Sequence, residues 1–80
     1  MNDNRLMVIS GIIALILAAG GGSAPSGHIY AGLMDQLDLD EYQTALDLGR
    51  HVGYWKVAGS HMVTLEPAGA EFAAQMAKLM

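Results

Sequence analysis

The stretch Leu6 to Ala19 (LMVISGIIALILAA) carries no charge, interrupts its apolar residues only with Ser10 and Gly11, and runs into Gly20-Gly21-Gly22. A chain of 80 residues has to hide it. At this length the chain is read as a single domain, 1–80, and such a domain buries only about 60% of the surface its unfolded form exposes. The stretch falls short of the ~20 apolar residues that a membrane span needs. Arg5 in front and small residues behind also give it the outline of a secretory signal. That defines one alternative, a secreted or membrane-anchored small protein with residues 1–24 as its signal. Two features oppose cleavage: Asp3 offsets Arg5, and Pro25 directly follows the best small-residue site. Removal also takes away the most apolar part of the chain. The reading adopted is a buried helix, about residues 5–19, in a cytoplasmic protein without membrane contact. Its apolar residues lie all round the cylinder, which predicts packing on several sides. Asn2, Asp3 or Asn4 caps it and Gly20 stops it.

The second helix is predicted over about 26–37, with Ile29, Leu33 and Leu37 as its inner stripe and Tyr30 and Met34 beside them. The third, about 39–52, has the clearest start. Asp38 and Glu41 stand at capping-box spacing, and Leu37 can staple onto Tyr42. Tyr42, Ala45, Leu46, Gly49 and Val52 form its inner face, and Gly53 ends it. Two apolar runs then span residues 54–65 and read as a hairpin, with Gly59-Ser60 as a two-residue type II′ turn. Pro67 opens a closing helix, about 67–79, with Phe72, Met76 and Leu79 on one stripe. The expected fold is mostly α with a small β-hairpin, in the order α-α-α-β-β-α.

Hydrophobic residues make up 52% of the chain, above the roughly 45–50% usual for soluble domains. The excess points to a second copy of the same chain as a partner. Ile12 and Ile16 on the first helix, with Phe72, Met76 and Met80 on the last, are the candidate seam of a homodimer. Small and flexible apolar residues there favour close, adaptable packing. Charge is unevenly spread. Asp35, Asp38, Asp40, Glu41 and Asp47 fall within thirteen residues that hold no Lys or Arg, and the whole chain has four cationic side chains against eight acids. A polyphosphate-binding protein ordinarily shows a basic stripe.

The segments SGHIYAGLM, LDLDEYQTALDLGRHVGYWKV and HMVTLEPAGAEFAAQM together resemble bacterial and phage winged helix-turn-helix DNA-binding domains, over about residues 12–78. Gly53-Tyr54-Trp55 resembles the entry to the first wing strand, and Val63 to Gly69 resembles the exit from the second. The resemblance implies that the second and third helices form the helix-turn-helix and that the third is the recognition helix. Its outward face supplies the candidate DNA contacts Gln43, Thr44, Asp47, Arg50 and His51, with Lys56 on the wing. Gln43, Thr44 and Arg50 can read base edges, whereas Asp47 is repelled by phosphate. Glu66 stands where the pattern has Thr or Ser. The primary expectation is a small DNA-binding transcription regulator acting as a dimer. The alternative is a winged-helix protein–protein module that docks through an acidic third helix or the Met- and Ala-rich closing helix.

No other chemistry is expected. The chain has no cysteine, and His28, His51 and His61 share no metal-ligand spacing, so neither metal nor cofactor is predicted. Gly20 to Gly22 follow a helix and precede no Lys-Ser/Thr, so they form no phosphate loop. Ser60-His61 lacks a nucleophile-elbow frame. An enzyme is not expected. Asp38 and Glu41 have a plain role as helix caps, and Trp55 is open between a partner-facing anchor and a roof over the core.

Overall fold

The computed structural model describes residues 3–59 and 61–79. It is a mostly helical compact globule with a small antiparallel sheet. The order is α1 (Asp3–Ala19), β1 (Ser23–Pro25), α2 (Ser26–Ala31), α3 (Leu39–Val52), β2 (Trp55–Ala58), β3 (Met62–Leu65) and α4 (Pro67–Leu79). No described helix is long and apolar enough to cross a membrane.

The apolar stretch becomes α1, the spine of the core. Ile9, Ile13, Ala14 and Leu17 are all buried and meet Ile29, Tyr42, Ala45, Leu46, Trp55, Val63 and Ala73. α1 packs against both α3 and α4 and touches β1 and β3. That matches the expectation for an all-round apolar helix, although Met7 and Val8 stay about half exposed. Of the caps expected for it, Asp3 and Asn4 belong to the helix itself, and Asn2 lies outside the described residues. Its end is fixed by the triple glycine. Gly20 donates to the Ile16 carbonyl at 3.0 Å, and Gly22 donates to that of Leu17 at 2.7 Å. Gly21 and Gly22 take φ of 87° and 95°, values that a side chain strongly disfavours.

That reversal lays Ser23 to Pro25 along β3, and the sheet order is β1-β3-β2. The expected order lacked this strand. Three residues ending in proline carry no alternation to read, and proline is tolerated there because β1 is an edge strand. The hairpin stands where it was expected, but its loop is longer. Ala58 pairs with Met62, so three residues separate the paired ends in place of a two-residue turn; Ser60 itself lies outside the described residues. The His61 carbonyl is held by the Ser26 backbone N–H at 2.7 Å, at the start of α2.

The expected second helix, 26–37, is also corrected. α2 stops at Ala31, and tight turns carry the chain to Asp38. Leu33 donates to Tyr30 at 2.8 Å and Gln36 to Leu33 at 2.9 Å, each a three-residue step. Asp38 has to be extended, φ −85° and ψ 170°, to cap α3, so the helix cannot run into it. The turns still bury Leu33 and Leu37 beside Ile29. The inner stripe is therefore real although the helix beneath it is not.

α4 begins on Pro67 as expected, but its buried residues are Gly69 and Ala73. Phe72 and Met76 are half-buried and Leu79 is 80% exposed, so the expected stripe through Leu79 is not an inner face. Small residues set the contact because α4 lies close on its neighbours. A Cβ on Gly69 would come within 1.9 Å of the Tyr54 carbonyl oxygen, and one on Gly11 within 2.5 Å of the Met76 methyl.

Candidate nucleic-acid interface

α3 carries the predicted contacts, and its ends are built from its own sequence. Asp38 Oδ1 accepts from the Glu41 N–H at 2.8 Å, and Glu41 Oε1 accepts from the Asp38 N–H at 3.3 Å. This reciprocal pair satisfies two backbone donors of the first turn. At the other end Gly53 is left-handed, φ 92°, and its N–H returns to the Gly49 and Arg50 carbonyls. Tyr42, Ala45, Leu46 and Gly49 face inward, but Val52, expected with them, is 49% exposed in the last turn beside the Gly53 stop. Tyr42 OH donates to the Ser26 carbonyl at 3.0 Å, and the Ser26 hydroxyl lies 3.0 Å from that phenol. Burial raises the Tyr42 pKa, while the Ser26 bond pulls it down.

Trp55 is a roof over the core, 1% exposed. Its indole N–H donates to the Leu46 carbonyl at 2.9 Å. The ring lies so close on Gly49 that a Cβ there would meet it at 2.0 Å. Next to it, Tyr54 stacks on Phe72 with centroids 4.4 Å apart. Two consecutive aromatic residues thus join α3 to one side and α4 to the other.

With the inner face committed, Gln43, Thr44, Asp47, Arg50 and His51 are all exposed. Thr44, Asp47, Arg50 and His51 line one shallow groove with Leu6 of α1 and Leu48 of α3. The two leucines were not anticipated, since nothing local in the sequence marks Leu6 as a neighbour of α3. Thr44 Oγ1 donates to the Asp40 carbonyl at 2.8 Å. Lys56 stands apart from the groove on β2, exposed and 3.7 Å from Glu66. Asp47 and Arg50 pair at 3.7 Å across one helical turn. Arg5 forms a two-pronged ion pair with Glu41, its Nε to Oε2 and its Nη2 to Oε1, the latter at 3.2 Å. Among the described residues, Arg5, Arg50 and Lys56 therefore each face a carboxylate of the same chain. Hydrogen bonding to Arg5, then to the Asp38 backbone, holds the Glu41 carboxyl below its ordinary value, and the Arg5 guanidinium is correspondingly raised.

The predicted seam residues are largely engaged within the chain. Ile12 and Ile16 pack partly buried against the core. Phe72 covers Tyr54 and Met76 covers Gly11. Met80 lies outside the described residues. His28, His51 and His61 form no group of three or more with acids that could hold a metal, among the described residues.

No family model, curated protein or solved structure matches this chain.

Proposed function

We propose that the chain is a non-enzymatic winged helix-turn-helix module, a small cytoplasmic DNA-binding regulator that acts as a dimer. The α2–α3 pair followed by an antiparallel hairpin and a closing helix supports the winged-helix reading. The observation that carries the DNA reading is α3 itself. It is capped at both ends, anchored on its inner face, and presents Gln43, Thr44 and Arg50 to solvent on a rigid support. A helix so held can enter a major groove with side chains suited to base edges. The opposing carboxylates do not forbid this. The Asp47–Arg50 and Lys56–Glu66 pairs are solvent-exposed, and exposed pairs contribute about 0–1 kcal/mol, so a phosphate can displace the acid.

The same pairing favours a second reading, a protein-docking module whose acidic α3 meets a basic partner. A mobility-shift assay on genomic fragments at about 50 mM salt separates the two. Wild-type protein should shift DNA modestly and lose it steeply with salt, and Arg50→Ala should weaken the shift. Absence of any shift at low salt overturns the DNA reading. Dimerisation is read separately, by sedimentation at tens of micromolar; a lone 8.4 kDa species overturns it.

A further inference from the structure

The structure assigns Arg5 to a positioning role: from the first turns of α1 it sets the angle of α3, and it is not itself a DNA contact. The assignment rests on the DNA-binding reading for its consequence and on the free protein for its geometry. α3 is anchored along its buried inner face, where Tyr42 also bonds to Ser26, and at its exposed start. In its second half Trp55 covers Gly49 and bonds to the Leu46 carbonyl, wholly within the core. At its start the anchor is Glu41, whose side chain is 17% exposed while that of Arg5 is 49% exposed. Glu41 is the third residue of α3 and already belongs to the capping box, so its carboxylate is fixed relative to the helix axis. The planar guanidinium grips both of its oxygens, a geometry that a lysine ammonium cannot reproduce.

The fork therefore ties one helix to the end of another across 36 residues of sequence. Released from it, α3 keeps its cap, the buried Tyr42 with its Ser26 bond and its Trp55 anchor, while the outer side of its first half loses its tie to α1. Gln43 and Thr44 follow Glu41 directly and move with that half. Two of the Arg5 N–H groups are committed to Glu41 in the fork. A plain surface reading makes Arg5 one of only four cations available to DNA. The two roles predict different salt behaviour.

The test compares wild type, Arg5→Lys, Arg5→Gln, Glu41→Gln and the Arg5→Lys/Glu41→Gln double variant, all confirmed folded by Trp55 emission. Glu41→Gln keeps the capping box, since Gln accepts there as well. DNA is a sequence selected by the wild type from a random pool, with an unrelated duplex as reference. The expected result is that Arg5→Lys lowers the preference for the selected sequence about threefold to tenfold. In Arg5→Gln, which removes the charge, the slope of log affinity against log salt should stay unchanged, and Arg5→Lys should add nothing in the Glu41→Gln background. In the free protein, amide exchange of Tyr42 and Gln43 should accelerate in Arg5→Lys relative to Gly49. A slope reduced by about one in Arg5→Gln, as for a lost phosphate contact, overturns the assignment. So does unaltered sequence preference, which is what a merely stabilising residue gives, or an additive double variant. If the wild type binds no DNA, the function reading fails while the exchange comparison still decides the clamp, with unchanged exchange in Arg5→Lys overturning it.

Discussion

The two ends of α3 are held by different physics. Its first turn is tied at the surface by charges and hydrogen bonds, Asp38 with Glu41 and Glu41 with Arg5. Its second half is wedged in the core, Gly49 under the Trp55 ring with the indole N–H on the Leu46 carbonyl. A polar joint at the surface responds to pH, salt and single charges, and losing it costs little stability. A packed joint has no such setting, because there is no space into which its parts can relax. One helix thus has a stiff half that includes Asp47 and Arg50, and a half that includes Gln43 and Thr44 whose surface tie is adjustable over the buried Tyr42.

The stiff half is broken by the smallest change. In Gly49→Ala the new methyl stands 2.0 Å from one indole carbon and 2.4 Å from two more, and a ring cannot swing aside as a flexible chain end does. The expected loss is about 3 kcal/mol, at the upper end for overpacking. Denaturant unfolding followed by far-UV circular dichroism measures it, and Trp55→Leu in the same chain should recover part of the loss. A wild-type unfolding midpoint for Gly49→Ala means that the wedge is absent.

The adjustable half should yield to acid. The Glu41 carboxyl titrates lower in the folded chain than its ordinary value near 4.5. A depressed carboxylate stabilises the fold above that ordinary value, and the contribution is lost as pH falls through the lower folded value. Nothing in the Gly49–Trp55 contact titrates in that range. Amide protection in the first turn of α3 should therefore decline below about pH 4.5 before protection around Gly49 does. Glu41→Gln should remove the difference. Parallel decline of both halves in the wild type contradicts the division.

How far the sequence revealed this division follows from the range of each interaction. The capping box, the Gly53 stop, Pro67 at the start of α4 and the burial of α1 all rest on residues within a few positions of one another or on periodicity, and all were readable. The Arg5–Glu41 fork joins residues 36 apart, and no local pattern marks it. β1 exists because the glycine turn brings Ser23 to Pro25 beside β3, a tertiary effect with no signature in three residues. The overlong second helix came from trusting spacing alone: Leu33 and Leu37 are buried as a stripe predicts, but by turns. At the candidate interface the outward row on α3 was legible because the inner row was. Its electrostatic state was not, since that depends on which acid each cation meets in space.

The smallest effect on stability, and the sharpest on function, belongs to Asp47, in the stiff half. Its pair with Arg50 is 3.7 Å long, and both side chains are more than half exposed. Asp47→Asn should leave the melting midpoint nearly unchanged, within about 0.5 kcal/mol, because a pair at that spacing on an open helix surface contributes no more. The substitution nonetheless releases Arg50 and removes a negative charge from the groove lined by Thr44, Arg50 and His51. If α3 meets DNA, affinity should rise, since one repulsion is gone and one cation is free to displace a counterion. If α3 meets a basic protein partner, the complex should weaken or stay unchanged. Placing the charge change in the stiff half keeps the helix angle constant, so altered affinity reports electrostatics alone. Titrating Asp47→Asn and wild type against the same duplex, with a low-salt pull-down in parallel, reads both signs, and a variant that binds DNA more weakly than wild type removes the DNA reading for this face.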